Sequence, residues 1–509
     1  MIRPFSKFAA ECQKQGAPER RTGAYTRVCE DSSTGATQLL TAAAEFRTGS
    51  IKRDAASFRD PAGHVYWQND HVYRTVMPIF ASAFDEVRQS NAIENWMSNG
   101  ILWPEQRVDK NELGEVGYEA YAVLKHPVLP LITYPYEWPF PLLKEAALFH
   151  LDLMLDALSK NIMLNDASAF NIQFNGVKPV FIDHLAFRPY VEGEFWQAHK
   201  QFFEQFINPL LLQAYTGIAF QEWYRGKLSG IATGDLAKIL PFKRKLNWRV
   251  GCHILLQAYF DKQTISAVSK KKAQRAMPRT GLESLWRSLR RWIATLEDGI
   301  SITHWQAYRD THSYDEAALS AKKTFVREFI SKTQPELLWD IGCNDGLFSL
   351  IALEAGAKRV IGFDNDHGAL AAAFNSAKAQ NGAFTPLYMD LTNPTPAQGW
   401  CENERLSLMQ RNKPTAILAL ALVHHLAITA NIPLPLIIDY LLSLAPRGVV
   451  EFVPKSDQKV QAMLAQREDI FVDYHLENFV NLLSAKAKIV SQISLAEGGR
   501  VLIEYTHKK

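Results

Sequence analysis

Hydrophobic and polar positions change rhythm along the chain, and each rhythm predicts its own kind of element. Residues 1–49 are polar and mixed, and "EDSSTGATQ" reads as loop, so a flexible arm is expected there. In "SFRDPAGHVYWQNDHVYRTV" two short alternating stretches flank Asp60-Pro61-Ala62-Gly63 and Asn69-Asp70, which predicts hairpins of a small antiparallel sheet. Apolar residues at helical spacing follow from about Pro78 to Asn99, and again from about Leu142 to Leu158. A tight loop then leads to a strand at "IQF", a turn at Asn175-Gly176 and a strand at "PVFID". The pattern is mostly helical from there to about residue 300, with a break at "AMPRTG". Towards the carboxyl end strands and helices alternate, as in a parallel sheet covered on both faces.

At 509 residues the chain exceeds one ordinary core, and about two to four domains are expected. The formal net charge of +3 is close to neutral, so the total asks for no nucleic-acid partner. It conceals a basic segment, 243–291, where Lys and Arg outnumber Asp and Glu, with Lys270, Lys271, Lys272, Arg287, Arg290 and Arg291 among them. Such a segment could hold phosphates or an acidic glycan, and it equally fits a solvated helical face. Cys12, Cys29, Cys252, Cys343 and Cys401 lie far apart without a CxxC pair, which argues against a disulfide framework or a zinc site. No apolar run reaches the roughly 20 residues of a membrane span, and "MIRPFSKFAAECQKQG" lacks the apolar core of a signal peptide. A cytoplasmic location is therefore expected.

The stretch "LLWDIGCNDGLFSL", residues 337–350, carries candidate chemistry: an apolar run, a turn through Gly342 and Gly346, then a helical pattern. Nucleoside triphosphates, dinucleotides and S-adenosylmethionine all use a strand, a glycine turn and a helix. The triphosphate loop needs Gly-Lys-Ser/Thr, and no Lys follows Gly346. A pyrophosphate on the helix amino terminus would be repelled by Asp340 and Asp345. S-adenosylmethionine has no phosphate and brings an ammonium and a sulfonium, which acidic residues favour. Strand "RVIGFD" then ends at Asp364, where a carboxylate can accept both hydroxyls of a ribose. "TPLYMDLT" ends with Asp390, suited to an adenine amino group. "PTAILALALVHHL" reads as a buried fourth strand whose end, His424 and His425, reaches the same edge. "GVVEFVPK" reads as a fifth, and "KIVSQISLAEGGRVLIEYT" as a closing hairpin around Glu497-Gly498-Gly499.

From about Trp305 to Lys509 the sequence resembles the class I S-adenosylmethionine-dependent methyltransferases. "DIGCNDG" is similar to their glycine-rich first motif, with Asn344 where a middle glycine is usual, and "GFDND" and "MDL" to the second and third. The resemblance implies a Rossmann-like α/β domain with a seven-stranded sheet whose last strand is antiparallel, and no metal. It implies donor contacts from Asp340, Gly342, Asn344, Gly346, Asp364 and Asp390. "HWQAYRDTHSY" is similar to the capping helices of some members, with Tyr308 and Tyr314 as candidates. The Asn-Pro-Pro-Tyr signature for planar amino acceptors is absent, and "LVHH" stands there, which favours a hydroxyl or an amine. His424 and His425 are the catalytic candidates, with Glu451 and Lys455 also near an acceptor.

In "LNDASAFNIQFNGVKPVFIDHLAF", Asp166 and Asn171 share a loop after a long helix, and Asp183 ends a strand after an Asn-Gly turn. That layout resembles the protein-kinase-like α+β fold, in its aminoglycoside and choline phosphotransferase branch. The resemblance implies that Asp166 orients a hydroxyl while Asn171 and Asp183 hold magnesium on ATP. The sequence departs from it: Leu164 and Asn165 replace the usual His, no glycine-rich phosphate loop is visible, and "HVYRTV" offers Arg74 for a lysine. The same polar residues would serve as turn and capping groups.

The expected organisation is an arm (1–49), a kinase-like or pseudokinase domain (50–280), a linker with cofactor-capping helices (281–330) and a methyltransferase domain (331–509). The leading function is methyl transfer to a hydroxyl or amine of a small molecule, glycan or protein, with the kinase-like domain recruiting substrate or regulating. A bifunctional kinase-methyltransferase acting on a glycan or secondary metabolite, and a scaffold that binds without turnover, stand beside it.

Overall fold

The computed structural model describes residues 51–68, 71–264, 277–300, 316–380, 382–465, 467–495 and 499–508, with only the backbone of 261–264. The chain divides into two units, Met1–Ser50 and Ile51–Lys509. The expected arm, the Asn69-Asp70 turn, Lys270, Lys271, Lys272, Tyr308, Tyr314 and the Glu497-Gly498 hairpin tip lie outside the described residues.

An antiparallel sheet opens the described chain. Its strands β1 (Lys52–Arg53), β2 (Val65–Gln68), β3 (His71–Val76), β4 (Gln106–Val108) and β5 (Ala122–Pro127) are ordered β1-β2-β3-β5-β4. Period-two alternation gives it two faces: Val123 joins Tyr66 and Tyr73 on one, while Ala122 and Leu124 join Val76 and Phe84 on the other. The helical pattern from Pro78 to Asn99 forms two helices, Ala81–Gln89 and Ala92–Ser98, because Asn91 between them adopts a left-handed φ of 53°.

The apolar helix Phe140–Ser159 is buried along its length and packs against Arg279–Ala294, which begins two residues before the stretch expected to link the domains and runs into it. Then come β6 (Ile162–Leu164), β7 (Ile172–Asn175), β8 (Lys178–Phe181) and β9 (Phe187–Pro189). β6 pairs with β9 and β7 with β8, both antiparallel, so the loops after β6 and β8 lie side by side.

The second sheet has seven strands: β10 (Leu338–Ile341), β11 (Val360–Asp364), β12 (Phe384–Tyr388), β13 (Ala416–Ala419), β14 (Arg447–Phe452), β15 (Ala487–Ser494) and β16 (Val501–His507). Their order is β12-β11-β10-β13-β14-β16-β15. β10 to β14 run parallel, and the last strand of the chain, β16, is antiparallel to both its neighbours. β10 to β14 are buried almost throughout, which is why they read as unbroken apolar runs, whereas edge strand β15 alternates. The chain leaves β10 in one direction for β11 and returns on its other side at β13. That reversal opens a crevice at the carboxyl ends of β10 and β13.

The fourth strand is shorter than its apolar run suggests. β13 ends at Ala419, Ala421 turns the chain with φ 51°, and His424 and His425 lie on the helical turn that follows. The two histidines are therefore not strand-end residues.

A polar seam joins the two sheet regions within the unit. Arg411 donates to Glu137 at 2.6 and 2.8 Å with both side chains buried, and Thr395 donates to the same carboxylate. Thr385 reaches the Gly176 carbonyl at 2.8 Å, Arg359 reaches Asn175 at 2.6 Å, and Gln398 reaches the Arg225 carbonyl at 2.7 Å.

Candidate functional site

The turn after β10 is built from backbone that ordinary residues avoid. Gly342, Asn344 and Gly346 have φ of 78°, 53° and 83°. The amides of Gly342 and Cys343 donate to the Phe363 carbonyl at 2.8 and 3.0 Å, which ties the turn to β11. A side chain at Gly346 would meet the Phe384 ring at 2.4 Å. At Gly342 a side chain would meet only ordinary contacts, Leu422 at 3.7 Å and the Leu420 carbonyl at 4.0 Å, so the left-handed φ and not crowding is what favours glycine there.

Carboxylates border this turn. Asp340 is buried and accepts from Ser349 Oγ at 2.7 Å; burial raises its pKa to about 6 against that hydrogen bond and nearby Lys322. Asp364 accepts from the Asn344 amide and the Asp366 amide, each at 2.9 Å and each on a different oxygen. Burial pushes the Asp364 carboxyl above the usual carboxylate range, while the Asn365 amide also favours the charged form. Asn344 Oδ1 is buried and has no hydrogen-bond partner among the described residues. Such an atom fits a site whose remaining partner is a ligand.

Asp390 lies at the far end, where one oxygen accepts from Thr392 N at 2.8 Å and Thr392 Oγ1 at 2.7 Å. It borders a crevice with Tyr388 and Thr395 on one side and Tyr136, Glu222 and Arg225 on the other. Tyr388 donates to Glu222 and stacks on His367 with ring centroids 4.9 Å apart and planes 7° apart. Sequence reasoning missed this wall, since Glu222 stands far along the chain in an ordinary helix.

His424 is buried with neither ring nitrogen bonded among the described residues; burial, then His425, lowers its pKa to about 2. His425 lies beside it, ring centroids 4.2 Å apart, and is exposed. Of the other acceptor-side candidates, Lys455 bonds Asp469 at 2.8 Å on the surface. Glu451 is buried, 2.6 Å from Lys322 and 3.4 Å from Arg500, which also bonds Asp457 at 2.8 Å. Lys322 was also missed, yet its sequence held a signal. It lies on the helix Glu316–Thr333 in a stripe with Ala318, Phe325, Val326, Phe329 and Ile330, a lysine where the period asks for an apolar residue.

The acidic loop of the first region is arranged differently. Asn171 donates to Asp166 at 2.9 Å and to Asp183 at 3.5 Å. Arg74, on β3, lies 3.2 Å from Asp183 and 2.5 Å from Asp60. Asp166 accepts from the Ser168 amide at 3.0 Å, and Asp183 from the Leu185 amide at 3.0 Å. Burial and then the Asp183 charge push the Asp166 carboxyl above the usual carboxylate range, against bonds from Gln201, Ser168 and Asn171. Among the described residues no group of three or more His, Cys, Asp or Glu stands ready to hold a metal ion.

The nodulation protein NoeA of Rhizobium meliloti (strain 1021) is 40% identical over 463 residues, 89% of this chain and 96% of NoeA. The chain belongs to the NoeA family. No protein-family profile matches it. Among solved structures, the N-methyltransferase NodS from Bradyrhizobium japonicum WM9 overlaps 38% of this chain and 99% of its own, at 13% identity and TM-score 0.29. The 16S rRNA methylase RmtB overlaps 52% of this chain and 89% of its own, at 17% identity and TM-score 0.26. Among the described residues of this NoeA-family chain, no helix is long and apolar enough to cross a membrane.

Proposed function

We propose that the chain is an S-adenosylmethionine-dependent methyltransferase acting on a hydroxyl or amine acceptor, a small molecule, glycan or protein. The observation that carries the reading is the buried, unpartnered Asn344 Oδ1 beside Asp364, whose carboxylate is held by backbone amides at the strand-order reversal. The residues fit the donor. Asp364 would accept two ribose hydroxyls, Asp390 has an oxygen left for an adenine amino group, and Asp340 would attract the ammonium. Gly342, Asn344 and Gly346 let the backbone approach closely. When bound, the donor supplies a methyl group on a sulfonium that is already the leaving group, so the chain's residues must mainly orient the acceptor and take its proton. We assign that proton to exposed His425 and the positioning of its ring to buried His424.

We further propose that residues 50–280 form a kinase-like domain that recruits the acceptor or regulates transfer, with 281–330 as connection and 331–509 as the methyltransferase domain. Its support is the antiparallel sheet, the long helix, the β6/β9 and β7/β8 pairs, and the cluster of Asp166, Asn171 and Asp183. Because Arg74 neutralises Asp183 where a magnesium ion would need it, phosphoryl transfer is the lesser reading. The relative is named for nodulation, and the same process is proposed for this chain.

The test is calorimetry of the full chain with S-adenosylmethionine and with NAD, followed by labelled donor and fractionated cell extract. Donor binding that NAD does not displace, with one labelled product, is the expected result. Absence of donor binding, or displacement by NAD, would overturn the reading; binding without any labelled product would favour the scaffold.

A further inference from the structure

Exposed large hydrophobic side chains are unevenly distributed among the described residues. Seven of the eighteen lie between residues 239 and 260: Ile239, Phe242, Leu246, Trp248, Leu256, Tyr259 and Phe260. Phe242, Leu246 and Trp248 are 75%, 71% and 62% exposed, so these are whole side chains in solvent, not the edges of core residues. Phe242 and Trp248 begin the short helices Phe242–Lys245 and Trp248–Val250, Leu246 caps the first, and Leu256, Tyr259 and Phe260 lie on Leu256–Thr264, which packs beside Thr233–Ile239. The segment has its own inward stripe in Val250, Ile254 and Ala258, all buried. Leu256 and Phe260, 48% and 53% exposed, lie two positions after buried Ile254 and Ala258, so the helix carries apolar side chains outside its buried stripe as well. A surface helix of a globular protein needs only the buried one.

Charge marks the same face. From residue 239 to 260 the sequence contains Lys243, Arg244, Lys245 and Arg249 and no Asp or Glu, while Lys238 just before is paired with Asp235 at 2.8 Å. The Arg249 guanidinium carbon lies 5.4 Å from the Trp248 ring centre, so cation and aromatic ring form one surface.

We infer that the face built by residues 239–260 docks on a membrane surface that carries anionic lipid. Trp, Phe and Tyr with Lys and Arg around them suit the boundary between headgroups and acyl chains, where rings and aliphatic ends enter the apolar layer and cations stay among the phosphates. A soluble polyanion would engage the cations and the Trp248 ring but leave Ile239, Leu246 and Leu256 in water. A second copy of the chain would bring four like charges against four. The inference is independent of the proposed methyl transfer.

The test is co-sedimentation of the full chain with vesicles of phosphatidylcholine alone and of phosphatidylcholine with phosphatidylserine. We expect sedimentation with the anionic vesicles only, weakened by salt. The variant Phe242→Ser/Leu246→Ser/Trp248→Ser should lose it. Lys243→Ala/Arg244→Ala should lower partitioning by about fivefold for each cation removed. These side chains are exposed, so an unchanged melting temperature will certify that both variants are folded. No sedimentation with anionic vesicles overturns the proposal, as does sedimentation the apolar variant retains. Heparin binding without vesicle binding would overturn it in favour of a polyanion site. A concentration-dependent dimer abolished by the apolar variant, again without vesicle binding, would overturn it in favour of self-association.

Discussion

At Asp364 both carboxylate oxygens are held by backbone amides, whereas at Asp183 one oxygen meets the Leu185 amide and the Arg74 guanidinium and the other faces Asn171. Asp364 ends its strand and Asp183 lies two residues past the end of β8, not on it as the sequence suggests, and both have an Asn and a second Asp nearby. The difference lies in what holds them. Backbone donors orient a carboxylate without neutralising it, so its charge remains available. A guanidinium set between Asp60 and Asp183 orients and neutralises at once, and occupies the space a cation would need. Acidic residues in a loop therefore say little about ligands until their partners are known.

The comparison can be broken most severely from the donor side. Gly346→Val puts a branched side chain at φ 83° against the Phe384 ring, and should cost on the order of 3 kcal/mol or more of stability together with donor binding. Chemical denaturation measures the first and calorimetry the second; a stable variant that still binds donor would detach the turn from the site.

Next in size is a pH effect. The Asp340 pKa rises from 3.8 to about 6 on folding, so the folded state favours the protonated acid. Its contribution, about 3 kcal/mol at most, is fully present below pH 3.8 and is lost as pH rises through 6. Donor affinity should change in the opposite sense, strengthening through the same window as the carboxylate ionises to meet an ammonium. Asp340→Asn should flatten both profiles, and a variant that keeps the parent's pH dependence would assign it to another group.

Asp364→Ala should weaken donor binding by about 1–3 kcal/mol, the range for hydrogen bonds to a charged acceptor. Asp183→Ala should leave that affinity unchanged, and an equal loss in both variants would erase the distinction between the regions. The smallest effect tests the neutralised loop itself. Arg74→Ala frees Asp60 and Asp183, and magnesium with ATP should then stabilise the full chain by about 1 kcal/mol in thermal denaturation, with little effect on the parent. A parent that is stabilised as much as the variant would mean that Arg74 does not block the site.

What could be read from the sequence was local. "DIGCNDG" carries its turn in its own glycines and in an Asn that tolerates the left-handed region, so the turn and its strand and helix could be read within a dozen or so residues. The end of β13 could not, because "AILALALVHHL" is equally apolar as strand or helix and nothing in Ala421 announces a positive φ. Arg74 was visible as a departure from the kinase-like pattern, but its bonds to Asp60 and Asp183 were not. The Tyr388 to Glu222 contact spans 166 positions, beyond any periodicity argument.

The Glu137 to Arg411 pair has a consequence for inheritance. Its members lie 274 positions apart, one on each side of the seam, and both are buried. A chimera that takes one from this chain and its counterpart from a relative with a different residue would strand a buried charge, at roughly 3–5 kcal/mol. That is comparable to the whole stability of many domains. Recombination within such a lineage must therefore pass the two codons on as a pair, or replace both together.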